Sequence, residues 1–166
     1  MQLPSWDVFI IVAFVIGIAY GIVLRREKTI TTLCSTYIGL VIASSFSEVI
    51  YNFFQGNTVI ANQVWIKSNA SLSTVSIVTF LVFTLLVSGS INSSSTRSGD
   101  TSPLEVILFS ALNIALIVSS IIGFLPEEVR ASTIEGSRAA SIIFAYRTWW
   151  VIVPPIALVI MNYRRK

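Results

Sequence analysis

Residues 145–155 read AYRTWWVIVPP. Whether this stretch crosses a bilayer decides how many times the chain does so, and therefore which fold it takes. Its aromatic and branched residues suit lipid. Arg147, however, is a permanent cation, and Pro154-Pro155 remove two backbone donors. Both features disturb a membrane helix and both need a physical account.

The rest of the chain sets the environment for that stretch. Of 166 residues, 54% are hydrophobic and 11% charged, where a soluble domain carries about 25% charged residues. This composition predicts an all-α integral membrane protein: one helical bundle over residues 1–166, embedded in a lipid bilayer. The opening MQLPSWD has no lysine or arginine ahead of the first apolar run, so that run reads as a retained anchor rather than a cleaved leader.

A spanning helix needs about 20 mainly apolar residues, and five runs approach that length, at residues 6–24, 30–54, 71–91, 104–125 and 140–161. The first stops at Arg25-Arg26-Glu27-Lys28, a charged knot suited to headgroups. The second ends in Tyr51, Phe53 and Phe54, aromatics typical of an interface. The linker 55–70, with Val59, Ile60, Val64, Trp65 and Ile66, reads as a piece lying in the interface. Residues 92–102, NSSSTRSGDTS, form a low-complexity loop, and 126–138, PEEVRASTIEGSR, a polar and partly helical segment.

Five spans place Arg25, Arg26, Lys28, Arg97, Arg164, Arg165 and Lys166 on one side, and Lys67, Arg130 and Arg138 on the other. Seven against three sets the N-terminus outside and the C-terminus in the cytoplasm. If the fifth run lay on the outer surface instead, the RRK tail would change sides and the bias would reverse to four against six.

Within a membrane, helices meet by close backbone approach, so small residues four apart mark contact faces. The first run carries Ala13, Gly17 and Gly21; the second, Ser35, Gly39, Ala43 and Ser47; the fourth, Ala111, Ala115, Ser119 and Gly123. Three such series favour a compact bundle.

Two charges fall inside spans. Counted from Phe54, Glu48 lies roughly 9 Å below the outer boundary, and counted from Ala140, Arg147 lies roughly 10 Å below it. A lone charge there costs about 2.5–3.5 kcal/mol on insertion scales and normally finds a partner. The matched depths make a Glu48–Arg147 ion pair the leading expectation. Arg147 snorkelling outward past Tyr146, with Glu48 protonated or wetted, is the competing one, and a transport role for either charge is a third. Asn113 is suited to a hydrogen bond between helices. Ser102-Pro103-Leu104-Glu105 reads as a capping box, Ser132-Thr133-Ile134-Glu135 as a weaker one, and Glu127-Glu128 after Pro126 as the acidic first turn of a helix. The double proline predicts a kink or a re-entrant turn in the fifth run.

Chemistry-bearing patterns are sparse. There is one cysteine, Cys34, and no histidine, so the usual zinc, haem and iron–sulfur ligand sets and the commonest general base are missing. No nucleophile-elbow, metalloprotease or P-loop motif occurs. The reading is a non-enzyme with no catalytic, cofactor-binding or metal-binding residues. Its cations cluster at span ends, which marks topology rather than nucleic-acid binding.

Residues 5–46, SWDVFIIVAFVIGIAYGIVLRREKTITTLCSTYIGLVIASSF, resemble the start of the colicin V production protein family. That family has an aspartate before its first helix, glycines along it, and a basic residue leading into a glycine-bearing second helix; here Asp7, Gly17, Gly21, Arg25 and Gly39 occupy those places. Leu24-Arg25 replaces the family's glycine-arginine step, and TSPLEV replaces its glycine-rich fourth-span start. The resemblance covers about a quarter of the chain and implies a small bacterial inner-membrane protein tied to export or envelope homeostasis. The functional expectation is an accessory or scaffold subunit of an envelope or secretion assembly, partnered by other membrane subunits or by itself. The alternative is a subunit of an oligomeric channel or transporter that uses Glu48 and Arg147.

Overall fold

The computed structural model describes residues 6–55, 70–91 and 103–163, all in or beside helices. Residues 56–69 of the interfacial linker, the low-complexity loop, Ser102 of the expected capping box and the RRK tail lie outside the described residues. The helices are α1 (Trp6–Phe54), α2 (Leu72–Ser90), α3 (Pro103–Phe124), α4 (Glu127–Gly136), α5 (Arg138–Ala145) and α6 (Arg147–Tyr163). The chain is a multi-pass helical membrane bundle. Four segments are each long and apolar enough to cross, Trp6–Leu24, Arg26–Phe54, Leu72–Ser90 and Pro103–Phe124, and α5 with α6 supplies a fifth if the bent pair is one span.

α1 runs through the charged knot without losing its helical turns, yet it is folded back on itself there. Thr29 Oγ1 lies 3.4 Å from the carbonyl oxygen of Gly21, although eight residues of straight helix advance about 12 Å. Both arms therefore pack on the same helix, α3. A Cβ on Gly17 would strike Ile114 and one on Gly21 would strike Ser110, while Thr36 on the second arm donates to Asn113 Oδ1 at 2.8 Å. Positions 17 and 36 thus lie level. Asn113 does bridge two helices, in a bond that gives Thr36, itself fully buried, a partner inside the membrane.

α2 covers the other side of the second arm. A Cβ on Gly39 would meet the Phe80 backbone oxygen at 2.9 Å and the Thr84 hydroxyl, so the two helices touch backbone to backbone there. Ser35, Ala43 and Ser47 are buried in the same stripe. On α3, Ala115 and Ser119 are buried and Ala111 is half-buried, while Gly123 has open space where a side chain would be. Ala13 is half-buried on the first arm.

Two apolar clusters fill the bundle. Leu33, Phe109, Leu112 and Leu116 form one, with Trp150, Val153, Ala157 and Met161 of α6 packed against it. Ile10, Val118, Ile122, Ala140 and Ile143 form the other, with Phe14, Phe144 and again Trp150 beside it. Because Trp150 joins both clusters and Met161 joins only the first, α6 runs antiparallel to α3 and emerges at the end where α1 folds back. Buried hydroxyls are mostly turned onto their own helix: Ser35 donates to Thr31 O, Thr36 lies against Thr32 O as well as Asn113, Ser47 to Ala43 O and Ser76 to Leu72 O. They serve close packing.

Segment 126–138 is helical almost throughout. Pro126 is the N-cap of α4, which has Glu127 and Glu128 in its first turn, where acids suit the helix dipole. Ser132-Thr133-Ile134-Glu135 lies inside α4 and starts nothing. Thr133 is buried and returns its hydroxyl to Val129 O.

Candidate functional site

The most elaborated part of the bundle is the broken helix formed by α5 and α6, which meet at 61°. The double proline does not make this break. α6 passes through Pro154 and Pro155 as helix, and the bend falls at Tyr146, eight residues earlier. A proline at 155 leaves the Val151 carbonyl without its usual donor, and the Tyr37 hydroxyl from α1 takes the place of that donor at 2.7 Å. The break itself is held by Trp150, whose Nε1 donates to Ile143 O at 2.9 Å. The N–H groups of Trp149 and Trp150 both bond Tyr146 O, which starts α6 directly at the corner.

The other end of α5 is pinned from the start of α1. Asp7 Oδ1 accepts from the Ser137 hydroxyl at 2.8 Å and from the Ala139 N–H at 2.9 Å. Ser137 Oγ in turn accepts from the Ala140 N–H, so it caps α5 and is itself held by the aspartate. Aspartate at a helix N-terminus meets unpaired N–H groups and a favourable dipole. A short helix of eight residues thereby has one end fixed from 130 residues away and the other by Trp150, seven residues beyond Ile143.

Arg147 and Glu48 do not meet. Both are exposed, and the ion pair found among the described residues joins Arg26 and Glu105 at the opposite end of the bundle, 2.8 Å apart. Arg26 Nε makes no aligned hydrogen bond there, so the attraction is Coulombic at close range. Glu105 consequently has a tertiary partner as well as its place in the first turn of α3.

The expected depth match between Glu48 and Arg147 fails because its boundary was counted from Phe54. Positions 17 and 36 are level, which aligns Trp6 with residues 47–48. Packing Gly39 against Phe80 and Thr84 likewise carries Glu48 to the start of α2. The second arm therefore overshoots its neighbours by roughly 9 Å, and Glu48 stands at the bundle's rim. Arg147, one turn outward of Val151 and its Tyr37 partner, starts deeper. Its guanidinium lies back over the Phe144 ring, 5.0 Å from the centroid. That placement suits the snorkelling alternative, with Phe144 rather than Tyr146 beside the guanidinium.

A second guanidinium shares that ring. Arg130, from α4, lies 5.6 Å from the same centroid. Sequence reasoning counted Arg130 only as a topological charge; the i, i+3 spacing of Phe144 and Arg147 was the available signal, but the approach of α4 was not visible in it. Near this region an apolar groove of about 380 Å³ opens between the first arm and α5, lined by Ile10, Phe14, Ile18, Ala139, Ile142 and Ile143 among others. Its hydrocarbon walls suit an acyl chain. Cys34 is exposed on the second arm, and among the described residues no histidine, cysteine, aspartate or glutamate group could hold a metal ion. No protein-family model, curated protein or solved structure matches the chain.

Proposed function

We propose that the chain is a non-enzymatic accessory or scaffold subunit of a larger membrane assembly, acting through its surfaces rather than through its interior. The observation that carries this reading is the close helix-to-helix packing among the described residues. Gly17, Gly21 and Gly39 bring helices into direct contact, and the buried hydroxyls are mostly spent on carbonyls of their own helices. A conduction path needs polar groups that face water or an ion, and this packing leaves them little opportunity. The resemblance of residues 5–46 to the colicin V production protein family points the same way, toward a small bacterial inner-membrane protein serving export or the envelope.

The test is purification of the tagged chain in mild detergent, followed in parallel by identification of stoichiometric partners and by ion-flux assays in liposomes. A fixed membrane partner with no flux is expected. Flux that disappears in Glu48→Gln would instead favour a channel subunit and sink the scaffold reading.

A further inference from the structure

We propose that Arg130 and Arg147, gathered on the ring of Phe144, bind the phosphate of an anionic phospholipid at the Trp6 end of the bundle. This does not rest on the scaffold reading; it needs only the membrane bundle.

Two guanidiniums from different helices lie 5.6 and 5.0 Å from one ring centroid. An aromatic face attracts a cation, but two cations sharing one ring also repel each other. Among the described residues neither has a carboxylate in ion-pair range, although Glu127 and Glu128 stand on the same short helix as Arg130. An anion bound by both guanidiniums would offset that repulsion. Guanidinium is planar and its donor fork matches phosphate oxygens two at a time, so a pair of them defines a phosphate site better than a diffuse positive surface does.

Depth selects a lipid as the source. α4 is polar and follows directly on the C-terminal end of α3, at the level of Trp6, an end of the bundle that lipid headgroups would cover if the helices span. Arg147 is rooted deeper and its side chain climbs to that level along Phe144. Ile142, Tyr146 and Trp149 beside it are exposed, which leaves apolar surface for the acyl chains beneath the phosphate. The arrangement is held in advance by Asp7 and Ser137 at one end of α5 and by Trp150 at the other.

Native mass spectrometry of the full chain in mild detergent, titrated with phosphatidylglycerol, phosphatidylcholine or inorganic phosphate, tests this. Wild type should prefer phosphatidylglycerol. The double variant Arg130→Gln/Arg147→Gln should bind it roughly tenfold more weakly, which corresponds to about 1.4 kcal/mol. Arg138→Gln, which changes an exposed arginine not engaged with Phe144, should leave binding unchanged. Arg147→Lys alone preserves charge and fold and should still lower affinity severalfold through loss of the planar fork. Unaltered phosphatidylglycerol binding in a well-folded double variant, or in Arg147→Lys, would overturn the assignment. So would an equal loss in Arg138→Gln. Displacement of the lipid by equimolar inorganic phosphate would show a free-anion site and overturn the lipid as ligand.

Discussion

Gly39 and Gly123 stand in membrane helices with the same sequence rationale, small residues four apart, yet their surroundings differ. At Gly39 an added methyl group would meet the Phe80 backbone oxygen at 2.9 Å, and backbone cannot rotate away. Gly39→Ala should therefore destabilise the bundle by roughly 1–3 kcal/mol, as overpacking does. Gly123 has nothing within contact distance, so Gly123→Ala should be neutral or slightly stabilising, since alanine is the better helix former. Unfolding in mixed micelles with increasing denaturing detergent measures both; equal effects would remove the distinction. Gly17 is intermediate, because its obstacle is the flexible end of Ile114. Spacing alone makes the stripes visible but not their partners. The packing faces of Gly17, Gly21 and Gly39 come from α2 and α3, more than 40 residues away in the chain.

At the scale of elements, the bent pair α5–α6 shows most clearly what local sequence can and cannot tell. Pro154-Pro155 correctly announce lost donors. They misplace the bend, because a hydroxyl more than 100 residues earlier, Tyr37, relieves the Val151 carbonyl and lets α6 continue. The actual corner at Tyr146 depends on Trp150 reaching back to Ile143 O, a contact no propensity at Tyr146 reveals. Tyr37→Phe should cost about 1 kcal/mol, and the cost should shrink in a Pro155→Ala background, where position 155 regains its own N–H for the Val151 carbonyl. A double-mutant cycle by thermal unfolding reads that coupling; additive effects would mean the tyrosine does not replace the missing donor. At the other end, Asp7→Ala should raise amide exchange across residues 137–141, while Asp7→Asn, which keeps an acceptor oxygen, should raise it less. Exchange unchanged in both variants would mean that α5 is anchored by packing alone.

For the whole molecule, hydropathy and length were sufficient to read the spans: residues 6–24, 30–54, 71–91 and 104–125 each correspond within a few residues to a helical segment. A bilayer's thickness imposes that length on any crossing helix, so it leaves a local record. The pairing of Glu48 with Arg147 had no such record, because depth depends on where neighbouring helices begin, and α1 overshoots them. The joint of α1 near Arg26 is likewise tertiary, made by both arms packing on α3 through Gly17, Gly21 and Thr36. What unites these features is the bent pair α5–α6, which begins beside Asp7 and ends beside the fold in α1; taken as one span it is a fifth crossing. Site-directed labelling with a membrane-impermeant thiol reagent tests it most directly, using Glu135→Cys and Tyr163→Cys placed singly in a Cys34→Ser background. The two positions should be labelled from opposite faces of the membrane. Labelling of both from the same face would mean that α5 and α6 return to the side they started from, and would contradict the five-crossing bundle.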